Sequence, residues 1–133
     1  MKKIYPFLIL LFASPAYSGT AENPCEMIEI SQQISQCAAY NKDQSDHLLN
    51  LSYKATMDRI QRQYGRDHPL ADQYVSLLKK AQREWIKLRD ADCRLEAFEI
   101  EETTEAHQVT IDNCISKMSN GRASYLKGVA PDL

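Results

Sequence analysis

Glycine and proline are scarce in this chain of 133 residues, 4 and 5 respectively, which excludes a collagenous, low-complexity or linker-rich polypeptide. No apolar run approaches the roughly 20 residues that span a bilayer as a helix, which excludes an integral membrane protein. No stretch alternates apolar and polar residues as a strand would, and no internal repeat is present. Metal-ligand spacings such as Cys-x-x-Cys, a nucleophile elbow and a Gly-rich phosphate loop are all missing. No catalytic residue, metal ligand or cofactor site is therefore nominated, and an enzyme is not expected. What remains, at 26% charged residues, is one small globular domain.

The first eighteen residues read as a secretory signal peptide. Met1-Lys2-Lys3 is a basic start, Ile4 to Phe12 a short apolar stretch, and Ala16-Tyr17-Ser18 a small-x-small cleavage site before Gly19. Residues 19–133 are then the mature domain, expected in the periplasm. Without Lys2 and Lys3 the 16 Lys+Arg become 14 against 18 Asp+Glu, a formal net of −4. An acidic balance disfavours nucleic acid and points to basic partners.

Cys25, Cys37, Cys93 and Cys114 all survive cleavage, and an even number in a small exported domain signals two disulfides. Three pairings are open; the simplest joins the near neighbours, 25 with 37 and 93 with 114. Bridged Cα atoms lie within about 7 Å, whereas 12 residues of unbroken helix span about 18 Å and 21 residues about 31 Å. Each short pairing therefore demands a chain reversal between its members.

The apolar pattern is helical throughout. Asn23-Pro24-Cys25-Glu26 reads as the start of a short helix, with Asn23 as cap, and Ser31 as the cap of the next. Leu49, Tyr53, Met57, Ile60 and Tyr64 recur at spacings of 4, 4, 3 and 4, marking a long amphipathic helix that ends at Gly65. After Asp67-His68-Pro69, the residues Tyr74, Leu78, Ala81, Trp85 and Leu88 mark a second long helix to about Cys93. The short turn makes the two helices antiparallel neighbours. A last helix is predicted over Ala106 to Leu126, burying Ile111, Ile115, Met118, the Arg122 stem and Leu126, with Gly121 weakening it by roughly 1 kcal/mol. The tail from Gly128 is expected to fray. The fold class is thus all-α: a small antiparallel helical bundle of two long helices plus shorter N-terminal and C-terminal helices, tied by two disulfides.

Charge is concentrated in two places. Lys79, Arg83 and Lys87 lie a turn apart on one face, either a solvated surface or a strip for an anionic lipid or glycan. From Leu95 to Ser116 the chain holds Glu96, Glu99, Glu101, Glu102, Glu105 and Asp112 and no Lys or Arg. If Cys93 pairs with Cys114, this acidic stretch is a tethered excursion suited to a basic partner; alternatively it folds back over the basic strip. Arg89 and Asp90, adjacent on a helix, should point apart, with Arg122 as the partner expected for Asp90.

Ala81-Gln82-Arg83-Glu84-Trp85-Ile86-Lys87-Leu88-Arg89-Asp90-Ala91-Asp92-Cys93 closely resembles the AQRxWxxxRDAxC signature of the secreted bacterial family called lysozyme inhibitor LprI-like. Cys25 and Cys37 match its first two cysteines, Leu49-Asn50 and Tyr53 its LNxxY helix, and Cys114, Ser119, Arg122 and Leu126 its closing CxxxxTxxRxxxL pattern. The resemblance covers about residues 25–126. It implies a disulfide-tied, all-α periplasmic domain that binds a protein partner, a basic lysozyme, and blocks this muramidase. The alternative is a non-inhibitory envelope binding or adaptor module. The family's namesake resembles a lipoprotein, whereas here Cys25 follows Asn23-Pro24 with no lipid-attachment box, so a soluble protein is expected. Gln82, Trp85, Arg89, Asp90 and Arg122 are the expected structural residues of the signature. Glu99, Glu101, Glu102, Thr103, Thr104, Glu105 and His107 are the candidate partner-binding residues, the hydroxyls and the imidazole being better suited than glutamates to a cleft that itself carries two carboxylates.

Overall fold

The computed structural model describes residues 23–132, which form three α-helices: α1 (Ser31–Tyr64), α2 (His68–Glu96) and α3 (Glu105–Lys127). The expected signal peptide and cleavage site lie outside the described residues. Among these no strand occurs, and no helix is long and apolar enough to cross a membrane.

Local hydrogen bonding explains why the expected short helix at Pro24 does not form. Asn23 Oδ1 accepts the Cys25 N–H at 3.0 Å and Asn23 O accepts the Glu26 N–H at 3.1 Å, closing a turn rather than capping a helix. Fewer than two turns of chain then precede the extended Ile30 (φ −131°, ψ 155°), too few to offset helix nucleation. The reversal demanded by the Cys25–Cys37 bridge is made by this non-helical segment, which folds back so that the two Cα atoms lie 4.8 Å apart. Ser31 is the first residue of α1 rather than its cap. The Gln33 side-chain oxygen takes the free N–H groups of Glu29 (2.6 Å) and Ile30 (3.0 Å) instead.

The other helix ends follow the residues that mark them. Gly65 closes α1, its N–H on Gln61 O at 2.9 Å. Asp67 caps α2 by accepting the Leu70 N–H at 3.1 Å, with Pro69 in the first turn. Thr104 caps α3 through the His107 N–H at 3.2 Å. The three-residue turn between Tyr64 and His68 makes α1 and α2 antiparallel. Contacts that pair Lys42 with Asp112, Asp46 with Ser119 and Thr56 with Leu126 show that α3 runs parallel to α1.

The core occupies one end of the bundle. Leu49, Ile60, Leu78, Ala123, Leu126 and Ala130 are buried together, covered by Tyr53, Met57, Tyr64, Tyr74, Val75, Trp85 and Val129. All five stripe residues predicted on α1 belong to it. On α2, Tyr74, Leu78 and Trp85 face inward, but Ala81 and Leu88 are exposed, and Gln82 and Cys93 are buried instead. The face of α3 buried most deeply is Asp112, Cys114, Ser119, Ala123 and Leu126, with Ile111, Ile115, Met118 and Arg122 half-buried beside it. It meets α1 along Ser45, Ser52 and Thr56, so the closest helix pair is joined through small and hydroxyl side chains.

The C-terminal tail does not fray in the described residues. Arg59 Nη2 donates to Leu126 O (2.7 Å) and Val129 O (3.0 Å), and its Nε donates to Ala130 O (3.1 Å). Gln63 Nε2 adds bonds to Ala130 O and Pro131 O at 3.2 and 2.8 Å. A cation of α1 thus caps the negative end of α3. These bonds also hold Ala130 at φ 46°, a left-handed conformation that costs an alanine roughly 1–2 kcal/mol.

Candidate functional site

The far end of the bundle, where large apolar side chains run out, is closed by chemistry of another kind. Cys93 in the last turns of α2 and Cys114 in α3 are bridged, with Cα atoms 5.5 Å apart. Both expected short pairings are therefore present. The bridge carries an excursion, residues 97–104, that is built from successive tight turns. The N–H groups of Ala97, Phe98, Ile100 and Thr104 bond to Cys93, Leu95, Ala97 and Glu101 carbonyls at 3.0–3.3 Å. Ala97 is fully buried beneath it and Ile100 is half-buried, so the loop has its own footing.

The loop displays the candidate partner-binding residues unevenly. Glu99, Glu101, Glu102 and Glu105 are exposed, and His107 is half-buried on the first turn of α3. No ion pair joins these glutamates to Lys79, Arg83 or Lys87 among the described residues, so the acidic stretch is not folded back over the basic strip. Asp112 departs from the group: it is buried, 3.4 Å from Lys42 Nζ and 2.8 Å from Gln108 Nε2. The threonine hydroxyls are already engaged. Thr104 Oγ1 bonds Glu101 O at 2.7 Å while capping α3, and Thr103 Oγ1 lies 3.4 Å from Glu101 Oε1.

Sequence reasoning missed the apolar part of this surface. Phe98 is 82% and Leu95 72% exposed, in a stretch of chain rich in exposed glutamates. An exposed aromatic amid charges of one sign is the composition of a protein-binding hot spot with a polar rim. The available signal was that Phe98 falls off every helical stripe.

Beneath the loop, α2 is fastened to α3 one turn at a time. Cys93 meets Cys114. Arg89 Nη1 donates to Ser119 Oγ (3.0 Å) and to Asp46 Oδ1 of α1 (2.9 Å), and Ser119 Oγ in turn donates to Asp46 Oδ1 at 3.1 Å. Gln82 Oε1 accepts from Arg122 Nε at 3.0 Å. The guanidinium carbons of Arg89 and Arg122 lie 5.5 and 5.6 Å from the Trp85 ring centroid, and that of Arg122 4.8 Å from Tyr125. Burial lowers the pKa of Arg122 from its ordinary value, opposed by Tyr125.

The expected pairing of Arg122 with Asp90 is not made. Asp90 Oδ1 instead lies 2.9 Å from Arg89 Nη2 and 3.0 Å from its Nε. Neighbouring residues on a helix cannot face each other through their Cβ atoms, but the long arginine side chain reaches back to the short aspartate. Gln82, Trp85, Arg89 and Cys93 thus share one face of α2, and Cys114, Ser119, Arg122 and Leu126 the matching face of α3. No group of three His, Cys, Asp or Glu side chains suited to a metal ion occurs among the described residues.

Three comparisons bear on this architecture. A family model described as "Lysozyme inhibitor LprI" matches residues 22–126. An uncharacterized protein of Rhizobium meliloti (strain 1021) is 27% identical over 123 residues, covering 90% of this chain and 88% of its own. Among solved structures, a DUF1311 family protein of Pseudomonas putida KT2440, determined at 1.85 Å, is 31% identical and superposes with a TM-score of 0.70, covering 79% of this chain and 98% of its own. With the match spanning both disulfides and the α2–α3 seam, the chain belongs to the LprI lysozyme inhibitor family.

Proposed function

We propose that the mature protein acts in the periplasm, where it binds a basic muramidase of the animal lysozyme type and blocks its cleft with the 97–104 loop. The observation that carries this reading is the exposed Phe98 on a loop that also exposes Glu99, Glu101 and Glu102 and is held at both ends by Cys93–Cys114. A loop ordered before binding loses little entropy on docking. The charges of these glutamates steer a positively charged partner toward the loop, and the aromatic side chain supplies the desolvated contact.

The chemistry of the target sharpens the arrangement. A muramidase cleft holds two carboxylates, so the glutamates belong against its basic rim and Phe98, rather than Glu101 or Glu102, against the cleft wall. Family membership and the exported, disulfide-tied character of the sequence support the same reading.

The test is lysis of peptidoglycan by a panel of lysozymes, followed by turbidity, with the oxidised chain in stoichiometric excess. Dose-dependent inhibition that weakens as salt rises is the expected result. Lysis unchanged across the panel at low salt would exclude inhibition and leave an envelope binding module as the function.

A further inference from the structure

A second surface, which shares no residue with the 97–104 loop, has the chemistry of a small-molecule site. Between α1 and α2 lies a groove of about 320 Å³, lined by Asn50 and Tyr53 of α1 and by Lys79, Gln82, Arg83 and Ile86 of α2. Its volume falls at the lower end of the range for small-ligand sites. Four of these six side chains, Asn50, Tyr53, Gln82 and Arg83, are motif residues that carry the family resemblance, although Asn50 and Arg83 are exposed and support no packing.

Two cations border it without an ion-pair partner among the described residues. Lys79 and Arg83, one turn apart, have no carboxylate within 4 Å among the described residues, whereas Lys87, the third member of the basic strip, is paired with Glu84 at 3.1 Å. Gln82 is only 8% exposed, and its Oε1 is fixed by Arg122 Nε. Its amide nitrogen has no acceptor among the described residues, yet no fully buried side-chain polar atom lacks a partner there. The Nε2 atom therefore keeps some solvent access, and the groove is a space that Gln82 lines.

We propose that this groove binds a carboxylate-bearing amino sugar. Lys79 and Arg83 take the carboxylate; a cation pair four residues apart on one helix face holds a single anion from two sides. Gln82 Nε2 and the Asn50 amide bond the hydroxyl or acetamido oxygens, and Tyr53 with Ile86 supplies the apolar wall for the sugar face. A neutral sugar would leave both cations unused, and an alkyl carboxylate would leave both amides unused, so it is the combination that selects the ligand. The inference is independent of the muramidase reading, because the groove shares no residue with the 97–104 loop.

The experiment is titration of the purified, oxidised chain with N-acetylmuramic acid and, separately, with uncharged N-acetylglucosamine, followed by ligand-observed NMR. The acid is expected to bind at least roughly tenfold more tightly than the neutral sugar, the worth of one charge-assisted hydrogen bond. The double variant Lys79→Glu, Arg83→Glu alters exposed side chains only and should keep the helical circular dichroism while losing binding of the acid by roughly tenfold or more. Asn50→Ala should weaken both sugars by a few-fold. Equal binding of the two sugars, undiminished binding by the double variant, or binding of neither would overturn the proposal. So would binding to phosphatidylglycerol vesicles that depends on Lys79 and Arg83 in the absence of sugar binding.

Discussion

Replacing Arg59 by methionine keeps an apolar stem in place and removes the guanidinium that gathers the end of α3. Three carbonyl oxygens, of Leu126, Val129 and Ala130, and the Thr56 hydroxyl lose a donor at 2.7–3.1 Å. Hydrogen bonds to a charged group contribute about 1.5–3 kcal/mol each when measured singly. They share one guanidinium here and are not additive, and the half-buried carbonyls regain some water once the cation is gone. A net cost of about 2–4 kcal/mol is expected, a large share of the roughly 5–15 kcal/mol that stabilises a domain. Thermal unfolding followed by circular dichroism should show the midpoint falling by roughly 10–20 °C. Native-state hydrogen exchange supplies a local readout, because the Gly128 and Val129 amides, bonded to Tyr125 and Leu126 carbonyls, should lose protection first. Arg59→Lys should recover only part of the loss, since an ammonium cannot reproduce the fork that spans Leu126 and Ala130. In a chain ending at Lys127, Arg59→Met should cost distinctly less than in the full chain. A midpoint unchanged by Arg59→Met, or an equal loss with and without the tail, would refute the capping argument.

Three further outcomes test the rest of the fold. Replacing Cys93 and Cys114 together by serine should cost about 3 kcal/mol, from a loop of 21 residues, and should abolish partner binding at temperatures where the helical signal persists; both are read from melting and turbidity. Arg89→Ala removes the side chain that joins all three helices, leaving Asp46 with the Ser119 hydroxyl as its donor in place of a cation; because Asp46 is 41% exposed and can rehydrate, the loss in chemical unfolding should be about 2–4 kcal/mol rather than more. Gly121→Ala should stabilise α3 by about 0.5–1 kcal/mol, because a Cβ there meets nothing within 4 Å, and a lower urea midpoint would contradict this.

Periodicity found what large apolar side chains encode. Leu49, Tyr53, Met57, Ile60 and Tyr64 lie in the core as their spacing requires, and the turn at Gly65 and the caps at Asp67 and Thr104 follow from residue chemistry that acts locally. The seam between α1 and α3 was illegible for the same reason. Ser45, Ser52, Thr56 and Ser119 are buried because they are small and bond across or along the backbone, and a count of apolar positions passes over them. Continuing the stripe by residue type puts Ala81 and Leu88 in the core, whereas Gln82 and Arg89 hold that face through bonds to α3 and α1. Nothing in Gly128-Val129-Ala130 announces a partner 67 to 71 residues earlier, so the sequence alone predicts a loose tail. In the acidic segment, the charge was visible and the exposed Phe98 was not, since exposure depends on which side of the turn after Ala97 the ring emerges.

The division of labour between seam and loop leads to a stricter test of function. Trp85, Arg89 and Cys93 hold α2 to α3 and α1, so on the proposed function these signature residues position the loop rather than reach a partner bound there. On the proposed function such a partner meets Phe98, Glu99, Glu101 and Glu102, whose exposed side chains lie outside the helices. Phe98→Ser, Glu99→Ser, Glu101→Ser and Glu102→Ser combined, with Ala97, Ile100 and Thr104 left in place, should therefore preserve the melting midpoint within a few degrees, since exposed substitutions change stability by about 0.5 kcal/mol each at most. The same change should weaken binding of a basic lysozyme by roughly thirtyfold or more, the worth of one aromatic hot spot of about 2 kcal/mol before the lost steering is added. Titration calorimetry measures the second quantity and circular dichroism the first. If stability collapses, the loop is part of the fold rather than a display on it. If stability holds and lysozyme affinity is untouched, the contact surface lies elsewhere on the bundle.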